Sequence, residues 1–185
     1  MNIRIEMDYK LYQSKYIVEH QSELIEQCHQ AKKLYMMLPT RHASGDMTGD
    51  YYSYNIFALT AGHFTFYEIY KELVSIVKSE LGDRKMWMQA WLNYHDYDSA
   101  PRVLGWHNHD WDYHGYISID PKNTVTEFRN YKIKNKTGQI YFGPGQREHR
   151  VVCLDEFSDK RLTIGFDVSL DLFPGNGCLG MLPVL

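Results

Sequence analysis

Three histidines and an arginine carry the chemistry this sequence can do. In the stretch WHNHDWDYHGYISID, three histidines and two aspartates fall within residues 107–114. Side chains two residues apart in an extended chain share a face, so His107 and His109 can present two imidazoles side by side. Neutral imidazole is the commonest metal-binding side chain. An isolated H-x-H is equally at home in a polar surface loop. What weighs against that here is His149, inside a second strand-like run, and Arg161, which opens a third. An oxygen-activating non-heme iron(II) centre takes three protein ligands on one octahedral face and leaves three positions open. His107, His109 and His149 are read as that trio. Gly143-Pro144-Gly145 forms a tight turn into the run that holds His149.

The run RLTIGFDVSL alternates cleanly. Leu162, Ile164, Phe166, Val168 and Leu170 share one face, and Arg161, Thr163, Gly165, Asp167 and Ser169 share the other. A guanidinium fork binds a carboxylate bidentately, and the neighbouring Thr163 hydroxyl can add a third hydrogen bond. That pair suits the far end of a dicarboxylate whose keto-acid end chelates the iron. The competing expectation for Arg161 is a surface ion pair with Asp155, Glu156 or Asp159.

These residues need elements to position them. Residues 3–7 alternate as an edge strand. Leu24, Ile25, Cys28, Ala31, Leu34, Tyr35 and Leu38 recur at helical spacing and predict a helix over 22–38, stopped by Pro39. PTRHASGDMTGDYYSYN reads as a long loop, a candidate lid, in which His42 is expected to be solvated. A second helix is expected over 66–81, with Thr65 and Glu68 as a capping box and Gly82 as the C-terminal cap. From residue 86 the period changes to two: MWMQAWLNY alternates, and short runs follow at 114–119, 124–128, 139–142, 149–154 and 161–170. Pro121, Gly138 and the Gly-Pro-Gly turn separate them. Helices followed by many short strands predict an α+β chain whose β part is a sandwich or barrel.

The length of 185 residues suits a single domain over 1–185: residues 1–85 a mainly helical support, 86–170 the core with the metal site, and 171–185 a tail. A net charge of −3 gives no footprint for nucleic acid or an anionic membrane. Cys28, Cys153 and Cys178 are odd in number and widely spaced, which suggests neither a zinc ribbon nor a disulfide framework. With no signal-like or membrane-length apolar run, the expectation is a soluble, cytoplasmic protein. Aromatics at 15% of the chain, 15 of them tyrosines, suit a β-rich protein with a lined pocket.

The runs WLNY, HNH, HGYISID, GPGQREHRVV and KRLTIGFDV, in that order over residues 86–170, resemble the core of the iron(II)- and 2-oxoglutarate-dependent oxygenases. The resemblance is greatest to the prolyl-hydroxylase-like branch and its small oxygenase-like relatives. It implies a double-stranded β-helix, a cupin-like jelly roll, with the N-terminal helices packed on one sheet. It implies that His149 matches the family's distal histidine, Arg161 the arginine that holds the C5 carboxylate of 2-oxoglutarate, and His107 the first histidine of the usual H-x-D/E. His109 stands where that pattern has an acid. Three outcomes are open: three neutral imidazoles on the iron, which is favoured; Asp110 or Asp112 swinging in as the carboxylate with one histidine in support; or a metal bound without hydroxylation. Asn93 is expected beside the cosubstrate with Arg161 and Thr163. Tyr94, Trp91 and His114 are expected in the substrate pocket; the strand parity of His114, opposite to that of His107 and His109, favours a structural or substrate-facing role over ligation. His95 is placed in a polar turn.

The function expected is an Fe(II)- and O2-dependent hydroxylase that couples 2-oxoglutarate decarboxylation to C–H hydroxylation of a small molecule or peptide. The alternatives are a three-histidine cupin-type dioxygenase that needs no keto acid, and a non-catalytic cupin-like binder. No G-x-S-x-G, H-E-x-x-H, P-loop or dinucleotide fingerprint is present.

Overall fold

A computed structural model describes residues 8–38, 46–97, 105–171 and 180–184. The expected strand at 3–7, Pro39, His42 and residues 172–179 of the expected tail lie outside the described residues. Nine strands and four α-helices run in chain order through the described residues: β1 (Lys10–Gln13), α1 (Lys15–Glu19), α2 (Gln21–Met36), α3 (Ile56–Leu59), α4 (Phe64–Leu81), β2 (Trp87–Asp96), β3 (Tyr113–Asp120), β4 (Thr124–Phe128), β5 (Lys132–Lys134), β6 (Gln139–Pro144), β7 (His149–Cys153), β8 (Lys160–Ser169) and β9 (Leu182–Pro183).

The strands form two antiparallel sheets. The larger has the order β1-β6-β3-β8-β2-β9, and the smaller β5-β4-β7. Between β3 and β8 the chain crosses repeatedly from one sheet to the other (β3 to β4, β5 to β6, β6 to β7 and β7 to β8), the crossover pattern of a jelly roll. β8 lies inside the larger sheet, and both of its faces are buried. Its apolar side (Leu162, Ile164, Phe166, Val168) joins Met88, Ala90, Leu92, Ile117 and Ile140 in one core. The helices close that core from outside with Leu24, Cys28, Ala31, Ile69, Leu73 and Val77. The fold is therefore α+β, a cupin-like jelly roll with N-terminal helices on one sheet. The helices leave the other side of β8 facing the smaller sheet, and there its polar residues line a cavity.

Some local expectations are corrected. Thr65 does not cap α4. The helix starts at Phe64 after His63, which makes no side-chain cap bond. The Thr65 hydroxyl is instead taken by Glu23 and Gln27 of α2, so a helix–helix contact outcompeted the capping box. Glu68 pairs with Lys71 at 2.8 Å. The described part of the expected long loop, residues 46–55, carries local structure that its composition does not suggest. Residues 51–53 make a 3-10 turn, and Asn55 caps α3 by accepting from the Phe57 N–H. Ser14 caps the unexpected α1. The short strands β1, β5 and β9 gave no alternation long enough to read from the sequence.

Candidate metal centre and carboxylate pocket

The larger sheet builds the site row by row. On its inner face His95 stands opposite Arg161, Asn93 and Ser118 flank Thr163, Trp91 and Tyr116 flank Gly165, and Gln89 and His114 flank Asp167. Gly165 is required there: a Cβ at this position would come within 2.5 Å of the Trp91 indole, which lies across it. From the opposite sheet Thr126, His149 and Val151 face in, and Thr48 and Tyr51 of the expected lid close one side. The cavity between them, about 440 Å³, is lined by both the histidines and Arg161.

His107 and His149 meet although they lie forty residues apart. Their backbones form an antiparallel bridge in which each N–H reaches the other's carbonyl, at 3.0 and 2.8 Å. Directly opposed residues point to one side of a ladder, and the two ring centroids are 4.3 Å apart. His109 is held by its N–H to the Gly145 carbonyl at 3.0 Å. Gly145 allows this close approach, because a Cβ there would lie 2.0 Å from the Trp111 carbonyl oxygen. Ring nitrogens of His107, His109 and His149 fall within 4.8 Å of one another.

The hydrogen bonds fix which nitrogen each ring offers. Nδ1 of His107 lies 2.9 Å from the Gly105 carbonyl and Nδ1 of His149 lies 3.1 Å from that of Arg147. A carbonyl only accepts, so each Nδ1 carries the proton and each Nε2 keeps its lone pair. Nε2 of His109 is buried with no partner. Burial, reinforced by neighbouring His114 and His107, holds the His149 imidazole down at about 2, so it stays neutral and free to ligate. Three imidazoles with converging ring nitrogens suit a divalent transition metal such as Zn, Cu, Fe or Ni.

At the other end of the cavity Arg161 is 5% exposed and makes no ion pair among the described residues. Its Nε has no hydrogen-bond partner, and burial pulls its pKa down to about 10. The surface ion pair with Asp155, Glu156 or Asp159 is not formed. Among the described residues its hydrogen-bond contact is Nδ1 of His95, 3.5 Å from Nη1. A guanidinium only donates, so His95 accepts there and donates from Nε2 to the Thr48 hydroxyl at 3.1 Å. Thr48 then donates to Asn93 Oδ1 at 3.0 Å, and the Asn93 amide donates to the Thr163 hydroxyl at 3.1 Å. Among the described residues the Thr163 proton has no acceptor, and it lies beside a cation with no ion pair. Burial and then Arg161 keep His95 neutral, at about 4, as this chain of bonds requires.

The structure brings His107, His109, His114, His149, Trp91, Asn93, Arg161 and Thr163 to one cavity. It leaves others out. Tyr94 is not a pocket residue. Its parity in β2 is that of Leu92, and its hydroxyl meets His29 Nδ1 at 2.7 Å on the helical side. Asp112 accepts the Leu170 N–H at 2.9 Å, and neither it nor Asp110 belongs to a ligand group. His95 ends a strand rather than sitting in a turn. His114 lines the cavity as expected, but the parity argument for it does not hold, because residues 108–112 bend out of strand geometry before β3 starts. His114 is buried beside His109, with ring centroids 3.7 Å apart. Asp167 was missed as a site residue. It lies fully buried, with Oδ1 2.8 Å from His114 Nδ1 and Oδ2 3.1 Å from His109 Nδ1. The signal was present: Asp167 shares the face of Arg161 and Thr163.

No protein-family model and no characterised protein matches the sequence. Solved structures do match in shape. The non-heme alpha-ketoglutarate-dependent carbocyclase SnoK of nogalamycin biosynthesis superposes with a TM-score of 0.59 at 7% identity, over 92% of this chain and 85% of that one. The epimerase SnoN of the same biosynthesis, solved with Fe3+ and alpha-ketoglutarate, gives 0.54 at 11%, over 91% and 86%. The non-heme monooxygenase ThoJ, solved with nickel, gives 0.54 at 10%, over 96% and 76%. At these identities the likeness is one of fold: this chain has the jelly-roll architecture those non-heme enzymes share.

Proposed function

We propose that this protein is a non-heme Fe(II)- and 2-oxoglutarate-dependent oxygenase that hydroxylates a C–H bond of a small molecule or peptide. The observation that carries the proposal is Arg161: a buried guanidinium, without an ion pair among the described residues, in the same cavity as three imidazoles whose ring nitrogens converge. A buried cation without a counter-charge is costly, and a dicarboxylate reaching from the histidines to Arg161 removes that cost. When bound, iron with 2-oxoglutarate supplies the oxidising chemistry.

The chain's own residues do the rest. His107, His109 and His149 would hold the metal through Nε2. Arg161 binds the distal carboxylate bidentately, and the proton of Thr163 completes the contact. Asn93 orients that hydroxyl, and His95 and Thr48 orient Asn93. Trp91 and Tyr51, with ring centroids 5.1 Å apart, form an apolar wall that excludes water and leaves room for a substrate. The sequence resemblance further suggests the prolyl-hydroxylase-like branch.

Anaerobic addition of Fe(II) followed by 2-oxoglutarate is expected to produce a weak visible charge-transfer band, and Arg161→Ala should abolish it. O2 uptake should depend on 2-oxoglutarate. Iron binding with no response to 2-oxoglutarate rules the proposal out. That result would favour a three-histidine dioxygenase acting directly on a chelating substrate, a reading supported by the all-imidazole trio.

A further inference from the structure

We propose that Asp167 is a positioning residue for the metal centre: one carboxylate holds two imidazoles at once, and so fixes which nitrogen His109 turns to the metal. The inference rests on the metal trio proposed above. Asp167 is fully buried, and its side-chain partners among the described residues are the imidazoles of His109 and His114. Both of its oxygens are occupied, one by each Nδ1. An ionised carboxylate only accepts, so both rings carry their proton on Nδ1. His109 is then left with a bare Nε2, the buried atom that has no partner inside the protein. Register enforces the arrangement, since β8 sets Asp167 opposite His114 across the strand pair.

Asp167 with His109 and His114 also forms a compact ligand-like group, which invites its assignment as a second metal site. Ring geometry argues against it. The two imidazoles are stacked 3.7 Å apart and within 11° of parallel. Imidazole lone pairs lie in the ring plane, so rings that lie face to face at 3.7 Å cannot both aim at one ion; a parallel pair can do so only when set further apart, as His109 and His149 are at 5.4 Å and 9°. His114 is accordingly a brace: its ring supports the face of His109, and its N–H occupies the oxygen of Asp167 that would otherwise be an unpaired buried charge.

Asparagine is nearly isosteric but offers one acceptor and one donor. With Asp167→Asn, one of the two rings must give up its Nδ1 proton, and even where the amide oxygen faces His109 the neutral partner no longer raises the basicity of that ligand. Losing an orienting partner of this kind typically weakens metal binding by about 10- to 100-fold.

The test uses Co(II) as an optical probe on the metal-free full chain. Asp167→Asn should weaken Co(II) binding about 10- to 100-fold and alter its ligand-field spectrum. His114→Gln, which keeps the Asp167–His109 bond, should change affinity by less than about threefold. Long-range 15N spectra of the metal-free wild type should show His109 and His114 as Nδ1–H tautomers. A merely structural Asp167 would lower Tm in Asp167→Asn while leaving Co(II) affinity and spectrum unchanged, which overturns the inference. It is equally overturned if His109 is an Nε2–H tautomer, or if His114→Gln costs as much as Asp167→Asn. If wild type takes up no Co(II), the metal reading of the trio falls. In that case, or if Asp167→Asn does not fold, the tautomer spectrum decides the role of Asp167.

Discussion

Replacing Arg161 by methionine separates binding from stability, because the two should move in opposite directions. Methionine fills a similar volume without charge. In the free protein Arg161 is an unpaired guanidinium held at about 10, well below its ordinary value. At about 1.4 kcal/mol per tenfold, that depression corresponds to a folding penalty of about 3 kcal/mol at neutral pH. Arg161→Met removes the penalty and loses one long bond to His95, so the metal-free variant should be as stable as wild type or more stable by about 1–3 kcal/mol. The same change leaves a bound carboxylate without its partner, which costs about 2–5 kcal/mol, or roughly 30-fold to several-thousand-fold in Kd. Urea unfolding of the metal-free protein gives the first quantity. Anaerobic calorimetric titration of 2-oxoglutarate into the Fe(II)-loaded protein gives the second. The reasoning is refuted by a Kd within about threefold of wild type, or by a folded variant destabilised by more than about 2 kcal/mol. The latter would make Arg161 a structural hub rather than an unsatisfied anchor.

Further outcomes can be checked on the same preparations. Metal at about 100 times its Kd should stabilise wild type by about 2.7 kcal/mol and raise Tm by roughly 5–10 °C. His149→Ala should show no such rise, and an undiminished rise would remove His149 from the site. Gly165→Ala forces a Cβ against Trp91 and should cost about 1–3 kcal/mol while displacing the indole into the cavity and weakening 2-oxoglutarate binding; a variant matching wild type in both measurements contradicts the packing described. Stability of the metal-free protein should fall with acid. His95 and His149 are depressed to about 4 and about 2, so below about pH 6.5 the unfolded chain binds protons that the folded chain refuses. Each group then removes up to about 1.4 kcal/mol per pH unit, or roughly 2 kcal/mol for the pair between pH 6 and 5. A urea midpoint that is flat over this range refutes neutral burial of the two rings.

Much of the site could be read from residue order. A period-two run such as RLTIGFDVS can bury one face only by alternating, so Arg161 and Thr163 had to share a face with Asp167, and Phe166 had to join the core. The same logic puts Tyr94 with Leu92 and away from Asn93, and an expectation of Tyr94 in the pocket ignored that parity. Parity was lost for His114, because residues 108–112 leave the strand and no local signal marks how many residues a bend consumes. The capping box at Thr65 failed for a related reason: a hydroxyl that could serve its own helix was claimed by α2.

Residue types and spacing, by themselves, determined an α+β chain with a histidine pair, a distant histidine and an arginine on alternating strands. Those properties depend on local periodicity and side-chain chemistry, which any stretch of chain carries with it. Only the tertiary structure decided that His107 bridges His149, that Asp112 turns away while Asp167 turns in, and that Arg161 lies buried without a counter-charge. Each of these depends on which strands become neighbours and in what register. That choice is made by burying the whole apolar face at once, and no short segment encodes it.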